Sequence, residues 1–408
     1  MVDLPDVDRY RLPHPDFDYE NRVRRLATRA RAADIDAVLI PYYVDLLYFT
    51  GTAQPANLYV PADDPERARV FVRRAMGFAR QEVGLPTEMV VDGGLEALAD
   101  YAGDVGTVGL PLDVVPAAVV RRIETALDAE ATDVSDVVLE VRARKTPDEV
   151  ALLEEGAALY EHAHEAILDR AAPGVSEKAV AGAVADALLS AGAGELVCFR
   201  RWDARLPFPG LVVSGDTLAS ISGHAMTVTG VGATRMVPWG PSTRNLERGD
   251  VVVADLGLNY AGYHGDIART YVVGEAAPAQ REWFDLTSAI FEAALAALEP
   301  GAPAEAPYRA ALAEAEAAGV ADWLCGYAEM QAPYVGHAVG LEIDEPPTLA
   351  LGNDRPLEPG MVVTLEPKLI HPDRGAAMLE DDFLVTEDGV ERLSPVPLDL
   401  FEIPVDET

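Results

Sequence analysis

Apolar positions along roughly the first 135 residues come in short runs separated by helical patterns. Residues 22–33 read as a basic, alanine-rich helix, and Ala37-Val38-Leu39-Ile40 after it as a strand stopped at Pro41. Further strand-like runs stand at 58–60, 70–72, 89–91 and 105–110. Short apolar strands alternating with helices predict a small α/β domain with a largely covered sheet. Thr146-Pro147-Asp148-Glu149 then marks a sharp helix start, with a hydroxyl at N-cap, proline at N1 and glutamate at N3. That helix is expected to reach about residue 171, and a second to run from after Ser176 to about 191. The domain boundary falls near 136–145, which divides the chain into 1–140 and 141–408.

From about residue 195 the pattern turns to strands and bends. Residues 251–256 form an apolar strand ending in acid, 257–262 a bend and 263–273 its return strand. Two alanine-rich helices are expected at 279–299 and 303–319, and further strands at 361–366 and 377–386. This predicts an α+β domain with helices on one side of a curved sheet. No short tandem repeat interrupts it, although two helices followed by strands occur twice in outline.

A length of 408 residues fits two domains, and 49% hydrophobic residues supply ample core. Thirty-two basic residues against 68 acidic ones leave a net charge of −36, which argues against nucleic acid and against anionic lipid. Only Lys145, Lys178 and Lys368 are lysines, beside 29 arginines. So acidic a surface suits a salty cytoplasm, where screening weakens self-repulsion, and the expected host is a halophile. No apolar run reaches the ~20 residues of a membrane span, and the start lacks a basic segment followed by an apolar one. A cytoplasmic protein is expected. Cys198 and Cys325 are too few for a disulfide framework and read as buried free thiols.

Three apolar strands deliver acids that are costly to bury alone. Asp255 closes 251–256, Asp266 follows across the bend, Glu366 closes 361–366, and Glu380 lies inside the last strand region. Several such acids with few arginines nearby, Arg269 being the obvious one, invite a shared divalent cation. His337 stands between Gly336 and Gly340, where the glycines let backbone approach closely. Four carboxylates and an imidazole suit Mn²⁺, Co²⁺, Fe²⁺ or Zn²⁺. Lys368, two residues past Glu366, falls on the same face if the strand continues. It is a candidate for holding a substrate carboxylate or a developing oxyanion. His264 is a candidate pocket residue.

The set Asp255, Asp266, His337, Glu366 and Glu380, spaced by 11, 71, 29 and 14 residues, resembles the five metal ligands of the pita-bread metallopeptidases. These are prolidase, aminopeptidase P and methionine aminopeptidase, with creatinase as a relative. The likeness rests on Asp255-Leu256-Gly257, Asp266-Ile267-Ala268-Arg269-Thr270, Gly336-His337-Ala338-Val339-Gly340, Glu366-Pro367 and Glu380-Asp381. Ile35-Asp36-Ala37-Val38 and Tyr48-Phe49-Thr50-Gly51 are similar to the amino-terminal domain of the prolidase and creatinase branch. The resemblance implies an α/β amino-terminal domain, a pita-bread α+β domain, and two divalent ions, Mn²⁺ or Co²⁺ foremost. It implies that Asp266 and Glu380 bridge both ions, that Asp255 and His337 hold one each, and that Glu366 is both a ligand and the group handling the proton of water. It further implies a homodimer and cleavage of Xaa-Pro bonds in dipeptides or short peptides.

Three positions depart from the peptidase pattern. Trp239 stands where a histidine precedes the first ligand strand, Asp344 where a second histidine follows the metal histidine by seven residues, and Met378 where an arginine precedes the last glutamate by two. These groups handle the substrate carbonyl, so an amidohydrolase or lyase of an amino-acid derivative, or a non-catalytic relative, stands as the alternative. Trp239, His264 and Met378 are therefore the expected substrate-side residues, and Glu366, Lys368 and Asp344 the expected catalytic ones.

Overall fold

The structure, a computed structural model, describes residues 10–223 and 227–405. It divides into two compact units: the chain up to Ala143 joined by 200–202, and 144–199 with 203 onward.

The first unit opens with α1 (Tyr19–Ala32), capped by the Asp18 carboxylate accepting from the Asn21 N–H, then β1 (Ala37–Ile40) and α2 (Tyr43–Thr50). It continues with β2 (Ala56–Pro61), β3 (Arg69–Val72), α3 (Met76–Glu82), β4 (Val90–Asp92) and α4 (Leu95–Ala102). β5 (Thr107–Leu110), α5 (Ala117–Leu127), β6 (Glu130–Asp133) and α6 (Ser135–Arg142) complete it. The sheet runs β4-β3-β2-β1-β5-β6, antiparallel at β1–β2 and β2–β3 and parallel elsewhere. β6 is not foreseen from the sequence. Glu-Ala-Thr-Asp carries no apolar alternation because it lies at the sheet edge, part exposed, and holds its place through the ladder to β5. Inside this unit Asp45 accepts from Arg142 at 2.7 Å and from Arg200 at 3.0 Å, all three buried.

The second unit begins with α7 (Pro147–Arg170), whose capping box forms as expected: Glu149 N–H donates to Thr146 Oγ1 and Thr146 N–H to Glu149 Oε2. The same Glu149 takes the Tyr263 hydroxyl at 2.9 Å. After α8 (Glu177–Ser190) come β7 (Gly210–Ser214), β8 (Val251–Tyr260) and β9 (Tyr263–Val273). α9 (Pro278–Ala296) and α10 (Ala306–Ala317) precede β10 (Tyr334–Ala338), β11 (Glu345–Ala350) and β12 (Val362–Leu365). β13 (Lys368–His371), β14 (Gly375–Met378), β15 (Asp381–Val385), β16 (Val390–Arg392) and β17 (Phe401–Ile403) follow.

Two helix pairs each cover a sheet. Leu159, Tyr160 and Val184 of α7 and α8 pack on Leu256, Ile267 and Tyr271 of the β17-β9-β8-β7 sheet. Phe291 and Ala311 of α9 and α10 pack on Val335, Val363 and Phe383 of the β11-β10-β12-β15-β16 sheet. The repeated pattern seen in outline is thus a doubled structural unit. The strand faces turned away from the helices carry the acids.

Three expected boundaries change. The bend is not 257–262: β8 continues to Tyr260, and the turn is Ala261-Gly262 alone, both at positive φ (50° and 96°), a two-residue hairpin turn. The run 377–386 is two strands, β14 and β15, broken at Leu379-Glu380, and 361–366 stops at Leu365 before Pro367, which has no N–H for the ladder. Both breaks carry the chain between the two-stranded β13–β14 ribbon and the five-stranded sheet. Cys325 is buried, whereas Cys198 is only partly so. Among the described residues no helix is long and apolar enough to cross a membrane.

Candidate metal centre

The register of the β8–β9 hairpin places the first two acids. Asp255 lies opposite Ala268 and Gly257 opposite Asp266, so the carboxylates sit diagonally on one face. Ala268 also bridges Glu380 through paired main-chain hydrogen bonds of 3.3 and 3.2 Å. Asp255, Ala268 and Glu380 thus form one row across three segments. His337 comes from β10, opposite Thr364 of β12. A Cβ at Gly336 would lie 2.1 Å from the Thr364 carbonyl oxygen, so only glycine lets β10 approach this closely. Glu366 sits just past β12, its N–H donating to Val335 O at 2.8 Å.

One ligand atom each from Asp266, His337 and Glu380 lies within 4.8 Å of the others. His337 Nε2 is 3.7 Å from Asp266 Oδ2 and 3.5 Å from Glu366 Oε1. His337 Nδ1 is 3.1 Å from Ala338 O. A carbonyl can only accept, so Nδ1 donates there and Nε2, the nitrogen turned to the acids, is the one available to ligate. Thr227 donates to Asp255 Oδ2 at 2.7 Å, and Thr364 to Glu380 Oε1 at 3.0 Å. Asp266 N–H donates to Asp382 Oδ2 at 3.1 Å. Asp266 Oδ1 and Glu380 Oε2 are buried without a hydrogen-bond partner among the described residues. Carboxylate oxygens so placed are costly unless a cation takes them. The donor set therefore fits a divalent metal.

Burial pushes the Asp255 carboxyl up to about 6, against the pull of the Thr227 hydrogen bond and with a further push from Glu366. Burial first, and the neighbouring carboxylates next, raise Asp266 and Glu380 well above the ordinary range. The metal-free cage consequently holds protons that an incoming cation must expel. Metal uptake is expected to release protons, so affinity should rise from pH 6 to pH 8. Calorimetry in buffers of different ionisation enthalpy checks this, and an apparent heat independent of buffer would refute it.

The remaining expected residues divide. Lys368, on β13 opposite Met378, is fully buried and donates to Glu366 Oε2, with its Nζ 5.5 Å from the Tyr334 ring centroid. Burial alone would lower its pKa, but the Glu366 carboxylate outweighs that and holds the ammonium above its usual range. Asp344 is partly buried in the stretch between β10 and β11. His264 was expected to line the pocket. It is fully buried, Nε2 accepts the Cys198 N–H at 3.0 Å, and Nδ1 is 3.2 Å from Gly340 O, so main chain occupies both ring nitrogens. Trp239 and Met378 both pack in an apolar cluster with Val213, Val228 and Ala376, and the Met378 sulfur lies 3.4 Å from Thr227, which donates to Asp255.

Arg269 does not pair with the cage acids. Fully buried, it binds Asp381 Oδ2 at 2.6 Å and the carbonyls of Glu380 and Val396. Thr227 was missed because no spacing ties its loop to Asp255. Thr364 was legible, two residues before Glu366 on an alternating strand.

Doubled helix-on-sheet layers around a carboxylate and histidine centre define a metallohydrolase of the pita-bread kind. The chain belongs to metallopeptidase family M24, which residues 151–387 match, and residues 22–144 match the creatinase/prolidase N-terminal domain. It is 31% identical over 415 residues to the probable dipeptidase PepE of Mycobacterium tuberculosis, covering 95% of this chain and 98% of that protein. Identity to the Xaa-Pro dipeptidase of Pyrococcus furiosus is 27% over 384 residues, covering 93% and 99%. The solved Xaa-Pro dipeptidase from Bacillus anthracis superposes with a TM-score of 0.80 at 26% identity, covering 94% of this chain and all of that one.

Proposed function

We propose that the protein hydrolyses Xaa-Pro bonds in dipeptides or short peptides at a centre of two divalent ions, with Mn²⁺ or Co²⁺ foremost. The observation that carries this reading is the convergence of Asp266, His337 and Glu380 within 4.8 Å, with orphaned carboxylate oxygens turned to no protein partner. Asp266 and Glu380 would span both ions, Asp255 and His337 would hold one each, and Glu366 would be a fifth ligand. Bound there, such ions supply Lewis acidity and acidify water toward neutrality. The protein's own groups do the rest. Glu366 takes the proton of the attacking water and returns it to the leaving amine, while Lys368 fixes the orientation of Glu366 through Oε2. Thr227 and Thr364 hold Asp255 and Glu380 in place, and His337 is oriented by Ala338 O. Asp344, which stands where the family pattern has a histidine, is proposed as a further catalytic group at the substrate carbonyl.

The proposal assigns 1–140 to the amino-terminal domain and 141–408 to the catalytic one, with a homodimer acting in the cytoplasm. The excess of acid, −36 in net charge, supports a salt-adapted host. Protein loaded with Mn²⁺ or Co²⁺ in molar KCl should turn over Xaa-Pro dipeptides or short Xaa-Pro peptides faster than non-proline amides. Turnover of non-peptide amides alone would replace this reading with an amidohydrolase.

A further inference from the structure

The charge of the cage closes without Lys368. Asp255, Asp266, Glu366 and Glu380 carry four negative charges at full ionisation, which two divalent ions cancel; His337 as a neutral ligand adds none. Behind them Asp381 pairs with Arg269 at 2.6 Å and Arg392 at 3.8 Å, so those two guanidiniums are engaged away from the cage. Lys368 is the charge left over. It is 1% exposed, sits between Glu366 and the Tyr334 ring, and among the described residues donates to Glu366 alone. An ammonium has three N–H groups, so two remain for another acceptor. In a chain with 29 arginines and three lysines, one of the lysines stands against a candidate metal ligand.

We propose that Lys368 is a fixed cation of the centre, which weakens the hold on divalent ions and makes the loaded cage accept one small monovalent anion. The inference rests on the metal-centre reading above and adds to it what the loaded centre selects. During hydrolysis the same preference favours the negative charge that builds as water attacks the scissile carbonyl. Lys368 is on this account a positioning and charge-setting residue, since its direct contact is Glu366.

A fixed charge and a structural prop predict opposite results. Removing the ammonium relieves repulsion of cations and withdraws attraction for anions, whereas loss of packing would weaken both. Metal-free wild type, Lys368→Met and Lys368→Arg are titrated calorimetrically with Co²⁺ and then, once loaded, with fluoride in chloride-free buffer. Lys368→Met is expected to bind Co²⁺ about tenfold tighter and fluoride about tenfold weaker, with Lys368→Arg close to wild type. Weakening of both ligands, or no change in either, overturns the proposal. Lys368→Gln, read in the same way, decides the matter if the methionine variant does not fold. Wild type that takes up no Co²⁺ overturns the metal-centre reading itself, a result distinct from uptake without a Lys368 effect.

Discussion

Asp266→Asn is expected to abolish turnover and stoichiometric metal uptake while leaving the metal-free protein at least as stable as the wild type. The two halves have one cause. Asp266 is buried, its Oδ1 has no hydrogen-bond partner among the described residues, and Asp255, Glu366 and Asp382 all oppose its ionisation. A cation turns that cost into binding energy, and an amide cannot reproduce it. Losing a carboxylate proposed to hold the ions should remove several kcal/mol of transition-state stabilisation, about three orders of magnitude or more in kcat/KM. Without metal, asparagine keeps the shape and removes a group that ionises against its surroundings, so the thermal midpoint should hold or rise. Elemental analysis, kinetics and calorimetry on the same preparations check this. A variant that keeps both metal and turnover would remove Asp266 from the centre, and a midpoint well below wild type would assign it to the fold instead.

Arg269→Met should be the most destabilising single change near the site, although Arg269 touches no ligand side chain. Its guanidinium donates to Pro397 O at 2.7 Å, Glu380 O at 2.6 Å, Val396 O at 2.7 Å and Asp381 Oδ2 at 2.6 Å, all without solvent. Methionine fills part of the space but takes the nearest cation from a buried carboxylate, which keeps Ser394 and the Asp382 N–H, and leaves several carbonyls without their donor. Breaking one side of a buried pair costs about 3–5 kcal/mol, a large share of ordinary domain stability. Urea unfolding should show that loss, and pairing the change with Asp381→Asn should recover part of it by removing the stranded charge. An unshifted midpoint in Arg269→Met would refute the account. Because Arg269 also fixes the Glu380 carbonyl, metal affinity should fall together with stability.

Much of the second unit was legible along the chain. The Thr146 capping box and the two helix pairs announce themselves through local pattern, because capping and periodicity act within a few residues. The five candidate ligands were legible for a different reason. Burying a carboxylate in an apolar strand is costly, so Asp255 and Glu366 stand out wherever they fall. The breaks at Glu366-Pro367 and Leu379-Glu380 were less readable, since a strand that changes sheets keeps its apolar composition while it changes partners. β6 was invisible because an edge strand held by its ladder needs no apolar face.

The residue pattern by itself determined the helix starts, the strand faces and the demand of clustered acids for a cation, all consequences of short-range chemistry. Tertiary structure alone decided which groups meet. Thr227 binds Asp255, Arg269 binds Asp381 rather than a cage acid, and Arg200 reaches Asp45 across 155 positions. His264, Trp239 and Met378 looked equally available in the sequence, yet folding spends one on main-chain hydrogen bonds and packs the other two into an apolar cluster. The physical reason is that a side chain's desolvation and its partners depend on register and sheet crossing, which bring together segments that no local pattern connects.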